Sequence, residues 1–233
     1  MKVKVGSIII STIEYPGEIS LVIFLSGCPL KCPYCHNVGL LENFSEMSIE
    51  TLLSKIDSHS DFVDAVVVSG GEPLMQIDVT ESILKHAKSI GLKTKIDTSG
   101  CYPNSLERIL PLLDYVGLDV KAPFDKYNDI IGSNIGTQVY NSMELVNDSS
   151  AFLECRTTYV PTLLTPEDVY RIAEEVKCDM YAIQQFNNKQ TLKEELAAVS
   201  MPLPQEIKKI GLKVKPLNGK TIIRSFEFGK EEI

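Results

Sequence analysis

The chain has 233 residues and 44% of them are apolar, which is enough to form the core of one large domain. Lysine and arginine number 23 against 31 aspartates and glutamates, giving a net charge of -8 that disfavours a nucleic acid partner. No apolar run approaches the roughly 18 residues of a membrane span, and polar Ser11 and Thr12 end the first apolar run too early for a signal peptide. We therefore expect a soluble cytoplasmic protein with no membrane partner.

Segments with the pattern of strands alternate along the chain with segments that have the pattern of helices. The strand segments are apolar and rich in β-branched residues, and the helical segments repeat apolar residues at intervals of three and four. The predicted strands comprise residues 19–27, 64–71, 92–100, 115–123, 152–161 and 178–186. The predicted helices comprise residues 48–56, 77–91, about 103–112, turns within 124–148, and a helix that begins at the motif TPED of residues 165–168.

This alternation predicts parallel strands joined by right-handed crossovers. We expect an α/β fold in which six β/α units form a barrel or part of one. No linker divides the chain, so residues 1–233 are predicted to form a single domain, with a core over about 5–190 and a C-terminal extension over about 191–233. Within the extension, LKVKPL and KTIIRSFEF indicate one more hairpin or strand pair.

The most unusual residues of the chain follow the carboxyl ends of the first four predicted strands. Loops at that end of an α/β barrel converge on one mouth, so these residues are expected to share a site. In chain order they are the cysteine loop of residues 28–35, SGGEP of residues 69–73, DTSG of residues 97–100 and DVKAP of residues 119–123.

Three thiols in the first of these loops are spaced to converge on one soft metal centre. A structural zinc site uses four ligands, and His36 is awkward as a fourth because it adjoins Cys35. An iron–sulfur cluster tolerates three cysteines because one iron can take another ligand. Spacing alone therefore favours a cluster, while zinc and redox-active thiols remain alternatives. The other three cysteines are expected to be small buried residues, and they are Cys101, Cys155 and Cys178.

The motif CPLKCPYC, with Tyr34 before its last cysteine, resembles the cluster loop of the radical S-adenosylmethionine (SAM) enzymes. GGEP at residues 70–73 resembles the second signature of the same superfamily. The resemblance implies a [4Fe–4S] cluster held by Cys28, Cys32 and Cys35, whose fourth iron binds SAM. One electron from the cluster would then split SAM into methionine and a 5'-deoxyadenosyl radical, so the cluster and bound SAM would carry the catalysis.

A narrower resemblance covers about residues 5–190. GCPLKCPYCHN, KIDTSG, YVGLDVKAPFDKY, RTTYVPTLLTPEDV and QQF together resemble the glycyl-radical-enzyme activating enzymes, most closely the activators of anaerobic ribonucleoside-triphosphate reductase. Such an enzyme would abstract hydrogen from a backbone glycine of its partner and leave a stable glycyl radical. It would need a flavodoxin or ferredoxin as electron donor. A docking patch for that donor, or an ordinary solvated surface, is predicted for Lys208, Lys209, Lys213, Lys215, Lys220 and Arg224.

The same resemblance implies which residues contact SAM. Gly70 and Gly71 would allow close approach of the backbone and seat the methionyl group, with Glu72 near its amino group. His36 and Asn37 would position the cysteine loop or form hydrogen bonds with sulfurs of the cluster. The full set of candidate SAM-binding residues is Tyr34, Gly70, Gly71, Glu72, Pro73, Asp97, Thr98, Ser99, Asp119, Lys121 and Arg156.

Charged residues in this set also have structural interpretations. Asp97 and Asp119 would bind ribose hydroxyls or share a monovalent cation, since an unpaired buried acid is costly. Lys121 would neutralise the SAM carboxylate or simply pair with Asp119. Arg156 lies within an apolar strand and needs an anion, which would be either the cofactor or an acid of the core.

Two other functions fit parts of the sequence. A radical SAM enzyme acting on a small molecule, similar to 7-carboxy-7-deazaguanine synthase, would use a comparably small barrel, although no long insertion is present to form a lid. A non-catalytic iron–sulfur or zinc scaffold would leave the GGEP, DTSG and DVK motifs unexplained. Some pyruvate formate-lyase activating enzymes carry a histidine where this chain has Gln184 and Gln185, and no second cluster motif is present, so one cluster is expected.

Overall fold

The structure, a computed structural model, describes residues 1–217 and 220–233. The described residues form one sheet with α-helices packed on its outer face. The strands are β1 (Lys2–Ser11), β2 (Ser20–Leu25), β3 (Ser45–Ser48), β4 (Ala65–Gly70), β5 (Lys93–Thr98), β6 (Tyr115–Asp119), β7 (Phe152–Tyr159), β8 (Met180–Gln185), β9 (Thr221–Ser225) and β10 (Gly229–Glu232). The helices are α1 (Gly39–Glu42), α2 (Ile49–His59), α3 (Ile77–Ser89), α4 (Pro103–Ile109), α5 (Tyr127–Ile131), α6 (Gly136–Asn147), α7 (Pro166–Glu175) and α8 (Pro204–Val214).

Parallel pairing dominates the sheet, whose strands stand in the order β10-β9-β8-β7-β6-β5-β4-β2-β1-β3. The six predicted strands are β2 and β4 to β8, and each pairs in parallel with the next. The helices α2, α3, α4, α6 and α7 lie in the connections between them. The predicted partial (β/α)6 barrel is therefore confirmed, and β9 adds a seventh parallel strand.

Alternating side chains divide the core into two layers. Along β4, Val66 and Val68 pack against the helices, whereas Ala65 and Val67 face the interior of the curved sheet. The interior layer is formed largely by residues near the amino ends of the strands, so it fills the lower half of the barrel and leaves the carboxyl ends for polar groups. Its buried residues are Tyr15, Val22, Ala65, Val67, Tyr115, Met180, Ala182 and Ile222.

The two ends of the chain differ from the sequence analysis. Residues 2–11 form β1, an antiparallel strand beside β2 that was not predicted.

LKVKPL was predicted as part of a strand pair, and this is wrong because its first residues complete α8. The helix buries Ile207, Ile210 and Val214, a spacing of three and four residues that is typical of a helix face. KTIIRSFEF does form the expected hairpin, in which β9 and β10 pair antiparallel.

Two glycines bring the GGEP turn directly against the base of the cysteine loop. The Gly71 amide donates to the Leu25 carbonyl at 2.9 Å, and the Glu72 amide donates to the Gly27 carbonyl at 2.8 Å. Gly70 has a φ of +126°, and a Cβ there would lie 2.1 Å from the Leu25 carbonyl oxygen. A Cβ on Gly71 would lie 2.2 Å from the Gly27 carbonyl oxygen. Any side chain at these positions would separate the two loops.

We expect Gly71→Ala to destabilise the fold by about 1–3 kcal/mol, because overpacking against rigid backbone costs that much. Differential scanning calorimetry should show a melting temperature lower by several degrees for a chain of this length. Gly39→Ala is the control, since the nearest atom to its added Cβ is 3.8 Å away. An unchanged melting temperature for Gly71→Ala would show that the two loops are not in close contact.

Candidate functional site

A cleft of about 390 Å³ lies at the carboxyl ends of the central strands. The cysteine loop forms one side of it, and the ends of β4 to β8 form the other sides. Most of the predicted site residues line this cleft, namely Cys28, Cys32, Tyr34, Cys35, His36, Asn37, Gly70, Gly71, Asp97, Thr98, Ser99, Asp119, Lys121 and Arg156. The structure therefore brings together segments that are more than a hundred residues apart in the chain.

The three thiols of the cysteine loop are free and partly or fully buried. Burial raises the pKa of Cys28 to about 12 and also raises the pKa of Cys32. Both groups are therefore protonated at neutral pH until a metal centre binds and deprotonates them. Among residues 1–217 and 220–233, no three His, Cys, Asp or Glu side chains are arranged to hold a single metal ion.

Arg156 stands at the centre of a buried network of ion pairs. Its Nε donates to Oδ1 of Asp119 at 2.8 Å, and its Nη1 donates to Oδ1 of Asp97 at 2.8 Å. Lys121 Nζ donates to the second oxygen of Asp119 at 3.0 Å. Lys121 thus pairs with Asp119, and Arg156 pairs with two acids of the core, as their structural interpretations predicted. Both side chains line the cleft.

A fifth member of the network, Lys95, was not predicted from the sequence. Its side chain is 2% exposed, and its Nζ lies 3.0 Å from Oδ1 of Asp97. The same ammonium group donates to the backbone carbonyl of Glu14 and lies over the Tyr115 ring at 5.0 Å. Lys95 thereby ties the segment that contains Glu14 to the inside of the barrel. Side chains two residues apart on a strand share a face, so the positions of Lys95 and Asp97 on β5 were the signal in the sequence for this contact.

Four members of the network, Asp97, Asp119, Lys121 and Arg156, stay charged across the neutral range. Burial alone would raise the pKa of Asp97 and of Asp119, but neighbouring cations outweigh it and hold both pKa values below normal. Burial would likewise lower the pKa of Lys121 and of Arg156, yet the adjacent carboxylates raise both well above normal. Both carboxylates proposed for a monovalent cation are therefore already paired with cations of the protein itself.

Gly117 provides the space that this network occupies. A Cβ at this position would lie 2.4 Å from Oδ1 of Asp97 and 2.9 Å from Nη1 of Arg156. The residue lies two positions before Asp119 on β6 and so faces the same side of the strand. A glycine within an otherwise apolar strand was the signal for this close approach.

Glu72 is not among the residues that line the cleft, and its predicted contact with the SAM amino group stays a prediction. Its side chain is fully buried, and its carboxylate accepts hydrogen bonds from the hydroxyl groups of Thr98 and Ser99 at 2.8 and 2.5 Å. The backbone amides of Ser99 and Leu74 donate to it at 2.9 and 3.1 Å. Pro73 is also buried and begins a short 3-10 turn. Both residues shape the mouth of the barrel from behind the cleft wall.

Among the other cysteines, Cys155 is fully buried as expected. Cys101 is only partly buried and accepts a hydrogen bond from the Ser99 hydroxyl at 3.2 Å, so it lies at the edge of the Glu72 network. Cys178 is also partly buried and packs against the core between the sheet and the helices.

The predicted basic patch of the C-terminal extension is largely paired. Lys208 and Lys220 form ion pairs with acids of β10. Lys213 lies over a tyrosine ring at 5.2 Å. Arg224 points into the barrel, where its guanidinium lies 2.5 Å from Glu154. These contacts favour the interpretation of an ordinary solvated surface for the three lysines, and a donor-docking role for the set stays a prediction.

The model of the radical SAM superfamily matches residues 22–176 of this chain. The chain belongs to the radical SAM superfamily. A protein of Methanocaldococcus jannaschii that carries the provisional name of a glycyl-radical enzyme activating enzyme is 41% identical, over 97% of this chain and 97% of its own. The pyruvate formate-lyase-activating enzyme of Clostridium pasteurianum is 33% identical over 71% of this chain and 72% of its own. This radical SAM protein is thus a member of the glycyl-radical enzyme activating group.

A solved structure shares the fold of this chain. SuiB of Streptococcus suis, crystallised with S-adenosylmethionine bound, superimposes with a TM-score of 0.68 at 16% identity, covering 88% of this chain and 50% of that chain. Members of the glycyl-radical enzyme activating group are enzymes, so the interpretation as a non-catalytic scaffold is wrong. In the described part of the chain, no helix is both long enough and apolar enough to cross a membrane.

The residues of the cleft fit the two cofactors of a radical SAM enzyme. Cys28, Cys32 and Cys35 line the cleft as free thiols, and a cubane iron–sulfur cluster binds each of its thiolates through a different iron. These three thiols would hold the cluster, which would supply one electron to SAM. The paired acids and cations of the same cleft match the hydroxyl, amino and carboxylate groups of SAM.

We expect Glu72→Ala to lower the free energy of unfolding by about 3 kcal/mol or more even without SAM, because four buried donors lose their acceptor. Urea unfolding of the cluster-free protein measures this difference. Glu174→Ala, at an exposed position of α7, is the control and should change stability little. Normal stability combined with weakened SAM binding would instead show that Glu72 contacts the cofactor directly.

Proposed function

We propose that this enzyme cleaves SAM reductively and generates a glycyl radical on anaerobic ribonucleoside-triphosphate reductase. The observation that carries the proposal is the cleft itself, which three free thiols line together with the charged network around Arg156. The proposal is also supported by the Methanocaldococcus jannaschii relative, whose name is that of a glycyl-radical enzyme activating enzyme. The reaction takes place in the cytoplasm, where reducing conditions keep the thiols free.

Each side of the cleft has a distinct task in this proposal. The cysteine loop holds the cluster, and Gly70 and Gly71, which line the cleft, seat the methionyl part of SAM. Asp97 and Asp119 accept hydrogen bonds from ribose hydroxyls, while Lys121 is the cation for the SAM carboxylate. The reduced cluster and bound SAM would supply the 5'-deoxyadenosyl radical that takes one hydrogen atom from the partner's glycine and leaves the unpaired electron there.

Lys121 also decides whether a monovalent cation can bind. In the structure, Lys121 and Arg156 together occupy both oxygens of Asp119. If Lys121 turns to the SAM carboxylate, one oxygen of Asp119 becomes available, and a monovalent cation then replaces the lost positive charge. The proposal therefore links cation binding to SAM binding.

The QQF motif and the name of one relative favour different partner enzymes. The motif QQF, with Gln184 and Gln185 at the end of β8, favours anaerobic ribonucleoside-triphosphate reductase. The name of the Clostridium pasteurianum relative makes pyruvate formate-lyase the second candidate. A flavodoxin or ferredoxin is the proposed electron donor. Because much of the C-terminal basic surface is paired, the donor is expected to dock elsewhere, closer to the cysteine loop, where Lys31 is exposed.

The cluster-reconstituted enzyme, dithionite and SAM should produce a glycyl doublet in the EPR spectrum of the reductase encoded in the same genome. Release of 5'-deoxyadenosine should accompany it. Cys32→Ala should abolish both signals because the cluster loses one of its three thiolates. Cys178→Ala is the matched control, since this thiol packs outside the cleft and should leave both signals intact.

Three results would contradict parts of this account. A doublet on pyruvate formate-lyase alone would transfer the activity to that partner. Release of 5'-deoxyadenosine without a doublet on either enzyme would indicate a small-molecule substrate. The absence of both signals from a protein with a full, reducible cluster would refute SAM cleavage.

A further inference from the structure

A second compartment of about 330 Å³ adjoins the cofactor cleft. The two share part of their walls, which are formed by Glu14, Tyr34, His36, Thr158 and Gln184. From this common wall the compartment extends away from the cysteines towards the ends of β8 and β9. Its remaining residues are Gln185, Phe186, Asn187, Arg224, Ser225 and Phe226. A molecule in the compartment would therefore lie directly beside a molecule in the cleft.

Neutral hydrogen-bonding groups dominate the lining of this compartment. Amides come from Gln184 and Asn187, and hydroxyls come from Thr158 and Ser225. The Tyr34 hydroxyl is buried and has no hydrogen-bond partner among the described residues. Such groups match the amide donors and carbonyl acceptors of a polypeptide backbone.

The two charged side chains of the lining do not favour a small acidic substrate. Arg224 lies 2.5 Å from the fully buried carboxylate of Glu154, so its positive charge is matched within the protein. The Tyr115 hydroxyl donates to the second oxygen of Glu154 at 3.0 Å. Glu14 is negative and would repel an anion. A neutral, flexible ligand is thus better suited to the compartment than a small carboxylate or phosphate.

The hairpin of β9 and β10 forms the outer wall and is held firmly. The Phe226 amide donates to Oε1 of Gln185 at 2.7 Å, and Nε2 of the same glutamine donates to the Pro202 carbonyl at 2.9 Å. Two aromatic side chains of this hairpin remain exposed, with Phe226 at 61% and Phe228 at 72%. Exposed aromatic residues at the edge of a polar site are typical anchors of a protein partner.

This hairpin lies outside the part of the chain that is common to the superfamily. The match to the radical SAM model ends at residue 176, whereas β9 and β10 comprise residues 221–225 and 229–232. The common part forms the cysteine loop and most of the cofactor cleft. An element that recognises one particular substrate is expected outside the common part, where groups of the superfamily differ.

We propose that the β9–β10 hairpin recognises the partner enzyme, with Phe226 and Phe228 as its anchors beside the compartment through which the proposed function brings the partner's glycine to the cofactor. The proposal rests on the function given above and deepens it. The glycine-bearing loop of the partner enters as extended polypeptide, and its backbone bonds with Gln184, Asn187 and Arg224. A glycine has no side chain to prevent its Cα from reaching the common wall with the cofactor cleft. Apolar residues beside the glycine pack on Phe226 and Phe228.

The test compares Phe226→Ala with Phe62→Ala, which removes a phenylalanine of similar exposure, at 72%, from the segment between α2 and β4. Each enzyme is titrated with the reductase of the same genome and, separately, with a pyruvate formate-lyase. The readouts are the partner concentration at half-maximal glycyl radical and the ratio of radical formed to 5'-deoxyadenosine released. Phe228→Ala is the second hairpin variant.

Phe226→Ala should raise the half-maximal partner concentration by about tenfold, as truncation of an aromatic anchor at an interface does. Its ratio of radical to 5'-deoxyadenosine should fall, because SAM is cleaved without a positioned glycine. Phe62→Ala should behave as the wild type. Equal half-maximal concentrations for wild type, Phe226→Ala and Phe228→Ala would overturn this proposal and leave the proposed function intact. No radical on either partner with the wild type would overturn both.

Discussion

The structure depends on the burial of one guanidinium group. Arg156 is 8% exposed within a strand of the barrel, and an unpaired cation there would cost several kcal/mol. Two carboxylates from neighbouring strands meet this requirement, and each is in turn paired with a lysine. The result is a rigid charged layer that spans β5, β6 and β7. It lines the same cleft as the cysteine loop, so the proposed cofactor site depends on the same contacts that make the core possible.

Below and beside this layer, the fold has little freedom. Apolar side chains fill the lower interior and prevent the charged layer from sinking into the barrel. Glu72 fixes the β5 loop from behind, and the glycine pair lets the β4 loop contact the base of the cysteine loop. The interior is therefore accessible at the carboxyl ends of the strands, where the cofactor cleft continues into the compartment beside β8 and β9. This continuity is what a reaction between a bound cofactor and a protein glycine requires.

The sequence predicted the six parallel strands and most of the cleft because parallel strands bring their carboxyl ends to one edge, whichever helices connect them. It did not predict Lys95 or Gly117, since their roles depend on which side chains of neighbouring strands they meet. The buried hydrogen bonds of Glu72 were not predicted either, because their donors are 26 and 27 residues away in the chain. β1 was not predicted because its burial comes from pairing with β2. α8 was not predicted because LKVKPL alternates like a strand over too short a window to show the helical period.

The most direct test of the central claim is the affinity for SAM of cluster-reconstituted Gly117→Ala, measured by isothermal titration calorimetry. The added methyl group would displace the Asp97–Arg156 pair without removing any group that could touch SAM. We expect binding to weaken by about tenfold or more, equivalent to the loss of one charged hydrogen bond, while the iron content stays normal. Wild-type affinity in a correctly folded Gly117→Ala enzyme would contradict the claim that this network builds the cofactor site.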